Sequence, residues 1–234
     1  MTRTGAMILA AGRGERMRPL TDATPKPLLD VGGRPLIVWQ IEALARAGFR
    51  EIVINISHLA PHFVAALGDG AALGVRLRWS VEPEALETAG GIATALPLLP
   101  RGPALVVSGD IHTTYDYAGL AARAEAMARD RSPPRAHLVM VPNPDYHRDG
   151  DFALVDGRIV DRGVPRYTYA NVGLYDTALF EELPRGVRLR LLPCLRQWIA
   201  AGRVSGELHD GPWFNVGTPA ELARLDAWLR RRPR

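Results

Sequence analysis

The chain has 234 residues, of which 47% are hydrophobic and 23% charged, a balance that predicts a soluble globular protein and excludes a disordered one. Cys194 is the only cysteine, which excludes an intrachain disulfide and a cysteine-ligated zinc cluster. The net charge of +4 comes from scattered arginines, and we interpret the one dense run at 230–234 as a solvated tail, so we expect no nucleic-acid partner. The N-terminal apolar run is too short for a signal peptide or a membrane span, and we expect a cytoplasmic protein without a membrane partner.

The first 142 residues alternate apolar β-type runs with helical patterns. The clearest helix is "RPLIVWQIEALARAG", which has Pro35 near its first turn and Gly48 as its stop signal. This alternation predicts parallel strands joined by right-handed crossovers, with helices on both faces of the sheet. The predicted strands cover 6–10, 51–57, 75–81, 104–108 and 136–141, and shorter helices are predicted at 60–67, 89–96 and 117–129.

The pattern changes after residue 142, where a polar loop precedes "FALVDGRIV", a hairpin that turns on Asp156-Gly157. A tyrosine-rich strand follows at 166–176. The predicted helices are 177–183, 190–201 and a last one capped by Thr218, with Pro219 at its first position and Glu221 at its third. We therefore predict one α/β domain over 1–234, a doubly wound, mostly parallel Rossmann-like sheet with a small β insertion.

A glycine-rich turn follows the first strand in "LAAGRGERMRPLT", residues 9–21. Such a turn cradles phosphate, because backbone N–H groups converge where no Cβ intrudes. Met17 stands where the dinucleotide fingerprint has its third glycine, and the Gly-Lys-Ser/Thr of a Walker-type loop is absent. The turn therefore predicts a phosphate site of another kind.

The chain contains 28 arginines and a single lysine, Lys26, which lies between Pro25 and Pro27. An ammonium is a compact point charge, whereas a guanidinium is wide and planar and cannot enter a narrow oxygen-lined slot in the same pose. Pro27 favours extended backbone at Lys26, so the side chain should leave a stiff segment. We interpret Lys26 as a phosphate ligand; the alternative is a solvated surface lysine retained by chance.

The segment "LAAGRGERMRPLTDATPKPLLDVGGRPLI" resembles the signature of sugar-1-phosphate nucleotidyltransferases, also called NDP-sugar pyrophosphorylases. Further stretches resemble the family at suitable spacings: "EPEALETAGGI" (82–92), "VVSGDI" (106–111), "GDF" (150–152), "YANVGLY" (169–175) and "FNVGTPAEL" (214–222). The resemblance implies that a sugar 1-phosphate oxygen attacks the α-phosphate of a nucleoside triphosphate and expels pyrophosphate, with Mg²⁺ as cofactor. It also implies a nucleotide-binding part, mainly 1–142, and a sugar-binding part, mainly 143–234.

The resemblance assigns a role to each matching residue. Arg16 would neutralise the departing pyrophosphate, Lys26 the charge at the α-phosphate, and Asp110, after a buried strand, would ligate Mg²⁺. Asn215 matches the second metal ligand, which is aspartate in most of the family, so one negative charge is missing. The implied nucleotide-binding residues are Ala11, Gly12, Arg13, Gly14, Lys26, Glu82, Ala89, Gly90 and Ser108. The implied sugar-binding residues are Gly150, Asp151, Asp161 and Asn171.

Within the family, the chain most resembles the enzymes that transfer a uridylyl group from UTP to N-acetylmuramate 1-phosphate in cell-wall (peptidoglycan) recycling. Mannose- and heptose-1-phosphate guanylyltransferases are the alternatives, and a non-catalytic nucleotide or sugar sensor is the alternative from another class. The chain stops without the β-helix of bifunctional relatives, so no acyltransferase activity is expected. We expect a monomer or small homo-oligomer, and Arg148, Arg162 or Arg166 to bind a sugar carboxylate.

Overall fold

The computed structural model describes residues 4–130, 132–133 and 135–231, so most of the arginine tail lies outside the described residues. The strands are β1 (Gly5–Leu9), β2 (Asp30–Val31), β3 (Arg34–Pro35), β4 (Glu51–Ile56), β5 (Arg76–Val81), β6 (Pro103–Ser108), β7 (Ile111–Thr113), β8 (Ala136–Val141), β9 (Phe152–Val155), β10 (Arg158–Val160), β11 (Arg166–Asp176), β12 (Val204–Leu208) and β13 (Trp213–Asn215). The α-helices are α1 (Leu36–Arg46), α2 (Ala60–Leu67), α3 (Glu87–Ala95), α4 (Ala118–Arg129), α5 (Leu191–Ala200) and α6 (Pro219–Arg230).

Within the described residues, nine strands form one sheet in the order β5-β4-β1-β6-β11-β8-β12-β10-β9. The pairs from β5 to β6 are parallel, as is the pair of β8 with β12. Strand β11 is antiparallel to both β6 and β8. The sheet is therefore mixed, and the prediction of a mostly parallel sheet is corrected.

The position of β11 explains this difference. Sequence placed β11 in a small insertion, but its apolar second half, from Val172 to Tyr175, is buried between β6 and β8 in the centre of the sheet. The register with β8 shifts between Tyr169 and Gly173, where Asn171 has a φ of 57°. Before this irregularity, Thr168 and Tyr169 still pair with β8, and the first two residues of β11 pair with β9.

Helices cover both faces of the sheet, as predicted. Alternate residues of a strand point to opposite faces, so Ile8 packs in the core under α1, α2 and α4, while its neighbour Met7 packs in the core under α3 and α5. The central strands are buried along nearly their whole length, which is typical of strands covered on both faces. Among the described residues, no helix has the length and apolar character that crossing a membrane would need.

A third apolar cluster joins α6 to the β2–β3 hairpin, with Met17, Val31 and Leu225 at its centre. The predicted cap is confirmed, because the Thr218 side chain accepts a hydrogen bond of 3.3 Å from the backbone N–H of Glu221. This packing holds the residues before α6 against the glycine-rich turn.

Three local predictions have different outcomes. The hairpin at Asp156-Gly157 is confirmed, with φ of 48° and 73° at the two turn residues, as a two-residue turn of this kind requires. The helix predicted at 177–183 is instead a single 3₁₀ turn, Thr177–Phe180. Gly90 and Gly91 were expected to open a helix, but α3 begins at Glu87 and both glycines lie inside it.

Gly90 is required by close packing, which gives a testable prediction. A Cβ there would lie 2.2 Å from the carbonyl oxygen of Val187 and 3.0 Å from the backbone nitrogen of Leu189, and backbone atoms cannot yield as a flexible side chain can. Gly90→Ala should lower the free energy of unfolding by about 1–3 kcal/mol in urea denaturation. Gly119, in α4, has open space around its Cβ position, so Gly119→Ala is the control and should stabilise by about 0.4–1 kcal/mol. Equal stability of the two variants would show that the backbone near Gly90 accommodates a methyl group.

Candidate active site

A cavity of about 650 Å³ lies where β1 and β6 end, the edge at which α/β sheets bind ligands. It gathers most of the predicted nucleotide-binding residues on one wall. The lining includes Ala11, Gly12, Arg13, Gly14, Arg16, Lys26, Ser108 and Asp110. The structure therefore brings this group of predicted residues together at one cavity.

The glycine-rich turn is held in a left-handed conformation at Gly14, which has a φ of 63°. The carbonyl of Gly14 accepts hydrogen bonds of 2.8 Å from both the Thr21 hydroxyl and the Met17 backbone N–H. A Cβ at position 14 would lie 3.1 Å from Cβ of Lys26. Glycine thus allows the turn to lie directly against the base of the lysine side chain.

Lys26 does not lie in an extended segment, which corrects that prediction. It begins a single 3₁₀ turn, Lys26–Leu28, closed by hydrogen bonds from Leu28 to Pro25 and from Leu29 to Lys26. Prolines on both sides still restrict this turn. Its ammonium donates a hydrogen bond to Oδ2 of Asp110, and the two side chains are only 13% and 26% exposed.

Asp110 and Asn215 are brought together by a two-stranded pairing. Asn215 is opposite Ile111 in the antiparallel pair of β13 with β7, and the backbone N–H of Val216 donates to the carbonyl of Asp110 at 2.8 Å. The Asn215 side chain is hydrogen-bonded to the hydroxyl of Tyr146; burial raises the pKa of this tyrosine above its usual value, and the contact with Asn215 opposes that rise. The predicted metal pair is therefore adjacent in the fold.

These two residues suit a hard, oxygen-binding cation. A carboxylate and an amide oxygen are ligands that Mg²⁺ accepts. Within the described part of the chain, however, no group of three or more His, Cys, Asp or Glu side chains could hold a metal. An ion bound here would need further oxygens from water or from a phosphorylated ligand, which is how Mg²⁺ is bound in most phosphoryl-transfer sites.

A buried hydrogen-bond chain behind the cavity was missed by sequence reasoning. Asn55 Oδ1 accepts a hydrogen bond of 2.9 Å from the backbone N–H of Ala10, and Asn55 Nδ2 donates one of 2.7 Å to Glu82 Oε1. Glu82 Oε2 accepts a hydrogen bond of 3.0 Å from the backbone N–H of Leu86. Glu82 is only 2% exposed. Burial raises the pKa of Glu82, while the hydrogen bonds from Asn55 and Leu86 lower it. Glu82 was predicted to contact the nucleotide, but it lies behind the wall and supports Asn55, which lines the cavity.

Ala89 and Gly90 also differ from the prediction. Their backbone N–H groups both donate to the carbonyl of Leu189, at 3.0 and 3.1 Å, so they are not available to a base. The cavity wall is formed instead by Glu87 and Thr88, at the start of α3. Glu87 makes an ion pair of 3.0 Å with Arg188, another lining residue.

A second cavity, of about 510 Å³, adjoins the first and shares Leu9, Glu87, Thr88 and Ser108 with it. Asp151 and Asn171, both predicted to bind a sugar, line this cavity together with Asn215. Asp151 is fixed by the N–H of Tyr169, at 2.8 Å from Oδ2, and its Oδ1 lies 3.1 Å from His147 Nε2. Gly150 precedes it with a φ of 61°, and a Cβ there would lie 2.7 Å from Asn143 Oδ1.

The remaining sugar-side predictions are not supported by the geometry. Asp161 makes an ion pair of 3.2 Å with Arg196 and does not line the cavity. The Arg166 guanidinium donates to the backbone carbonyls of Asp149, Asp161 and Asp151, at 3.0, 2.8 and 2.5 Å.

The other two arginines lie at the surface. Arg148 is 80% exposed beside Asp145, and Arg162 is exposed. None of the three predicted arginines therefore lines the second cavity.

The family model described as nucleotidyl transferase matches residues 5–147, so the chain belongs to the nucleotidyl transferase family and is an enzyme of that class. The N-acetylmuramate alpha-1-phosphate uridylyltransferase of Neisseria meningitidis serogroup B is 48% identical to it over 226 residues, 95% of this chain and 96% of that protein. The protein of the same name from Caulobacter vibrioides is 36% identical over 96% of each chain.

More distant matches are consistent with this class. The mannose-1-phosphate guanylyltransferase of Mycobacterium tuberculosis is 30% identical over 97% of this chain, which spans 64% of that protein. A solved Bacillus anthracis structure, described as a putative glucose-1-phosphate thymidylyltransferase, matches with a TM-score of 0.83 over 99% of this chain and 97% of that one. At 23% identity, this likeness establishes a shared fold.

The buried chain through Asn55 gives a prediction for stability. Asn55→Asp would place two carboxylates at hydrogen-bond distance in a buried site, and should lower the free energy of unfolding at pH 7 by about 3–5 kcal/mol. Like charges raise the folded-state pKa of the pair above the unfolded values, so the stability due to the bound proton is present at low pH and lost as pH rises. Urea denaturation at pH 7 and pH 5 should therefore show a smaller deficit at pH 5. Wild-type stability at both pH values, or a constant deficit, would contradict this expectation.

Proposed function

We propose that the protein transfers a nucleotidyl group from a nucleoside triphosphate to a sugar 1-phosphate and releases pyrophosphate, with UTP and N-acetylmuramate 1-phosphate as its substrates. The proposal rests on one observation above all, the pair of adjoining cavities that share a wall at Ser108. In this proposal the triphosphate binds in the first cavity and the sugar 1-phosphate in the second. The proposal keeps the predicted division of the chain, with 1–142 mainly on the nucleotide side and 143–234 mainly on the sugar side.

The nucleotide side supplies positive charge where the triphosphate would bind. The backbone of Gly12 to Gly14 donates to phosphate oxygens, and Arg13 and Arg16 neutralise the departing pyrophosphate. Lys26 is less exposed than Arg13 and Arg16, and in this proposal its ammonium moves from Asp110 to an oxygen of the α-phosphate. Catalysis by positioning and charge neutralisation requires no covalent intermediate.

On the sugar side, Asp151 and the Asn171 amide hold hydroxyl groups, so that the phosphate of the sugar points towards the shared wall. Asp151 suits this role because the Tyr169 N–H and His147 fix its orientation before the sugar binds. A carboxylate held in this way accepts hydrogen bonds from a sugar without reorganisation.

Asp110 and Asn215 would hold Mg²⁺ together with oxygens of the triphosphate. Bound there, the ion would neutralise charge on the phosphates. The chain itself contributes one carboxylate and one amide, so its own affinity for the free ion is low and the nucleotide brings most of the negative charge. This makes the cofactor part of the substrate complex.

The choice of UTP and N-acetylmuramate 1-phosphate is supported by the relatives at 48% and 36% identity, which carry that activity in their names and match nearly their whole length. The alternative, a guanylyltransferase for mannose 1-phosphate, is supported by the relative at 30% identity. The amide at 215 would favour a sensor only if it abolished turnover.

Turnover of defined substrate pairs tests the proposal directly. Pyrophosphate release should be highest with UTP, N-acetylmuramate 1-phosphate and Mg²⁺, and at least about tenfold lower in kcat/KM with GTP and mannose 1-phosphate. Omission of the divalent metal should abolish it. The reverse preference would identify a guanylyltransferase, and nucleotide binding without turnover of any pair would identify a sensor.

Lys26→Arg tests the role of the single lysine. The Lys26 side chain is only 13% exposed and its ammonium contacts Asp110, and a guanidinium is wider and planar and cannot take the same pose. We expect kcat/KM to fall by roughly 10- to 1000-fold, about 1.4–4 kcal/mol of transition-state stabilisation, with little change in thermal stability.

The matched control is Arg18→Lys, an exchange between the same two residue types eight positions earlier, at a side chain that is 62% exposed and paired with Asp22. It should keep wild-type kinetics. If Lys26→Arg were as active as Arg18→Lys, the retention of lysine at position 26 would have no catalytic reason.

A further inference from the structure

Arg190 lies on the wall of the second cavity, and its positive charge has no partner among the described residues. It is the residue before α5, with extended backbone (φ −76°, ψ 143°), and its side chain is exposed to the cavity. No hydrogen bond or ion pair joins its guanidinium to any residue that the structure describes. This separates it from Arg166, whose guanidinium is bound to backbone carbonyls.

The backbone that carries Arg190 is fixed. The neighbouring Leu189 donates its N–H to the carbonyl of Leu86 at 2.9 Å and accepts from the N–H groups of Ala89 and Gly90. Residues two apart in an extended segment point to the same side. Arg188 and Arg190 therefore both face the cleft, with Arg188 on the first cavity and Arg190 on the second.

The acidic side chains around the second cavity already have partners in the protein. Of the acidic residues that line it, Glu87 is paired with Arg188, and Asp151 is bound by the Tyr169 N–H and lies beside His147. Among the described residues that line this cavity, Arg190 is the single arginine. A ligand that enters the second cavity thus meets a guanidinium without a protein partner, in the cavity that Asp151 and Asn171 also line.

We propose that Arg190 determines specificity for an acidic sugar, by binding a carboxylate carried on the sugar ring. The inference rests on the proposed function and names the group that distinguishes N-acetylmuramate from N-acetylglucosamine, the lactyl ether. A planar guanidinium binds a carboxylate through two parallel hydrogen bonds, which selects for this group over a neutral hydroxyl. Leu192 and Leu195, in the next turns of α5, give the same wall an apolar surface for the methyl group of the ether.

The test compares two sugars that differ by this ether. With UTP saturating, kcat/KM is measured for N-acetylmuramate 1-phosphate and N-acetylglucosamine 1-phosphate in the wild type, Arg190→Gln and Arg190→Lys. Arg190→Gln should lower kcat/KM for N-acetylmuramate 1-phosphate by about 10- to 100-fold, mainly by raising KM. It should leave kcat/KM for N-acetylglucosamine 1-phosphate within about twofold of the wild-type value. Arg190→Lys should lose less of the kcat/KM for N-acetylmuramate 1-phosphate than Arg190→Gln, because lysine keeps the positive charge but cannot make the two parallel hydrogen bonds of a guanidinium.

Arg185→Gln is the matched control, since Arg185 lies in the same loop, is exposed and lines neither cavity. It should keep the wild-type ratio of kcat/KM between the two sugar phosphates. An equal loss of kcat/KM on both sugars in Arg190→Gln would mean that Arg190 binds the common phosphate, and wild-type kcat/KM on both sugars would mean that it binds neither group. Either result overturns the inference.

The failure of the proposed function would look different. If the wild type turned over neither sugar with UTP but used mannose 1-phosphate with GTP, the substrate assignment would fall, and the inference about Arg190 with it. If the wild type preferred the muramate and Arg190→Gln kept that preference, the proposed function would stand and only the inference would fall.

Discussion

A single buried amide sets the geometry of the cleft. Asn55 lies near the end of β4. Its side chain accepts a hydrogen bond from Ala10, just after β1, and donates one to Glu82, just after β5. It therefore ties together the carboxyl ends of three adjacent parallel strands. The glycine-rich turn starts from the Ala10 end, and Glu82 holds Leu86 at the entrance to α3. Removing either partner would leave a buried polar group unsatisfied, which costs about 1–3 kcal/mol. Both walls of the first cavity thus depend on this one side chain.

The fold was predictable where hydrophobic periodicity determines it. The parallel strands and the helices on both faces follow from the alternating pattern, and α6 from its cap at Thr218. The place of β11 was not predictable, because alternation reveals a strand but not its neighbours in the sheet. The pair of β7 with β13 was also missed, since strands of three residues are too short to produce a periodic signal. That pair is what brings Asn215 to Asp110.

The candidate site shows the same limit. Sequence identified residues whose chemistry is exposed by local backbone, such as Gly14 and Lys26. It assigned Glu82 and Ala89 to the nucleotide because it could not show that the protein itself already uses their polar groups. Asn55 did carry a signal, as the one amide within the apolar run "EIVINIS", because a polar group buried in a strand is costly unless it is hydrogen-bonded.

The acidic charge at the proposed metal site is balanced before any ligand binds, and this follows from Asn215. Lys26 compensates Asp110, and the amide at 215 adds no charge. An aspartate at 215 would leave a second carboxylate beside that pair, half-buried and without a cation of its own. A half-buried charge without a partner is destabilising. The amide therefore makes the metal-free cleft stable without a bound ion, and leaves Arg13, Arg16 and Arg190 as the groups that attract anionic ligands into the two cavities.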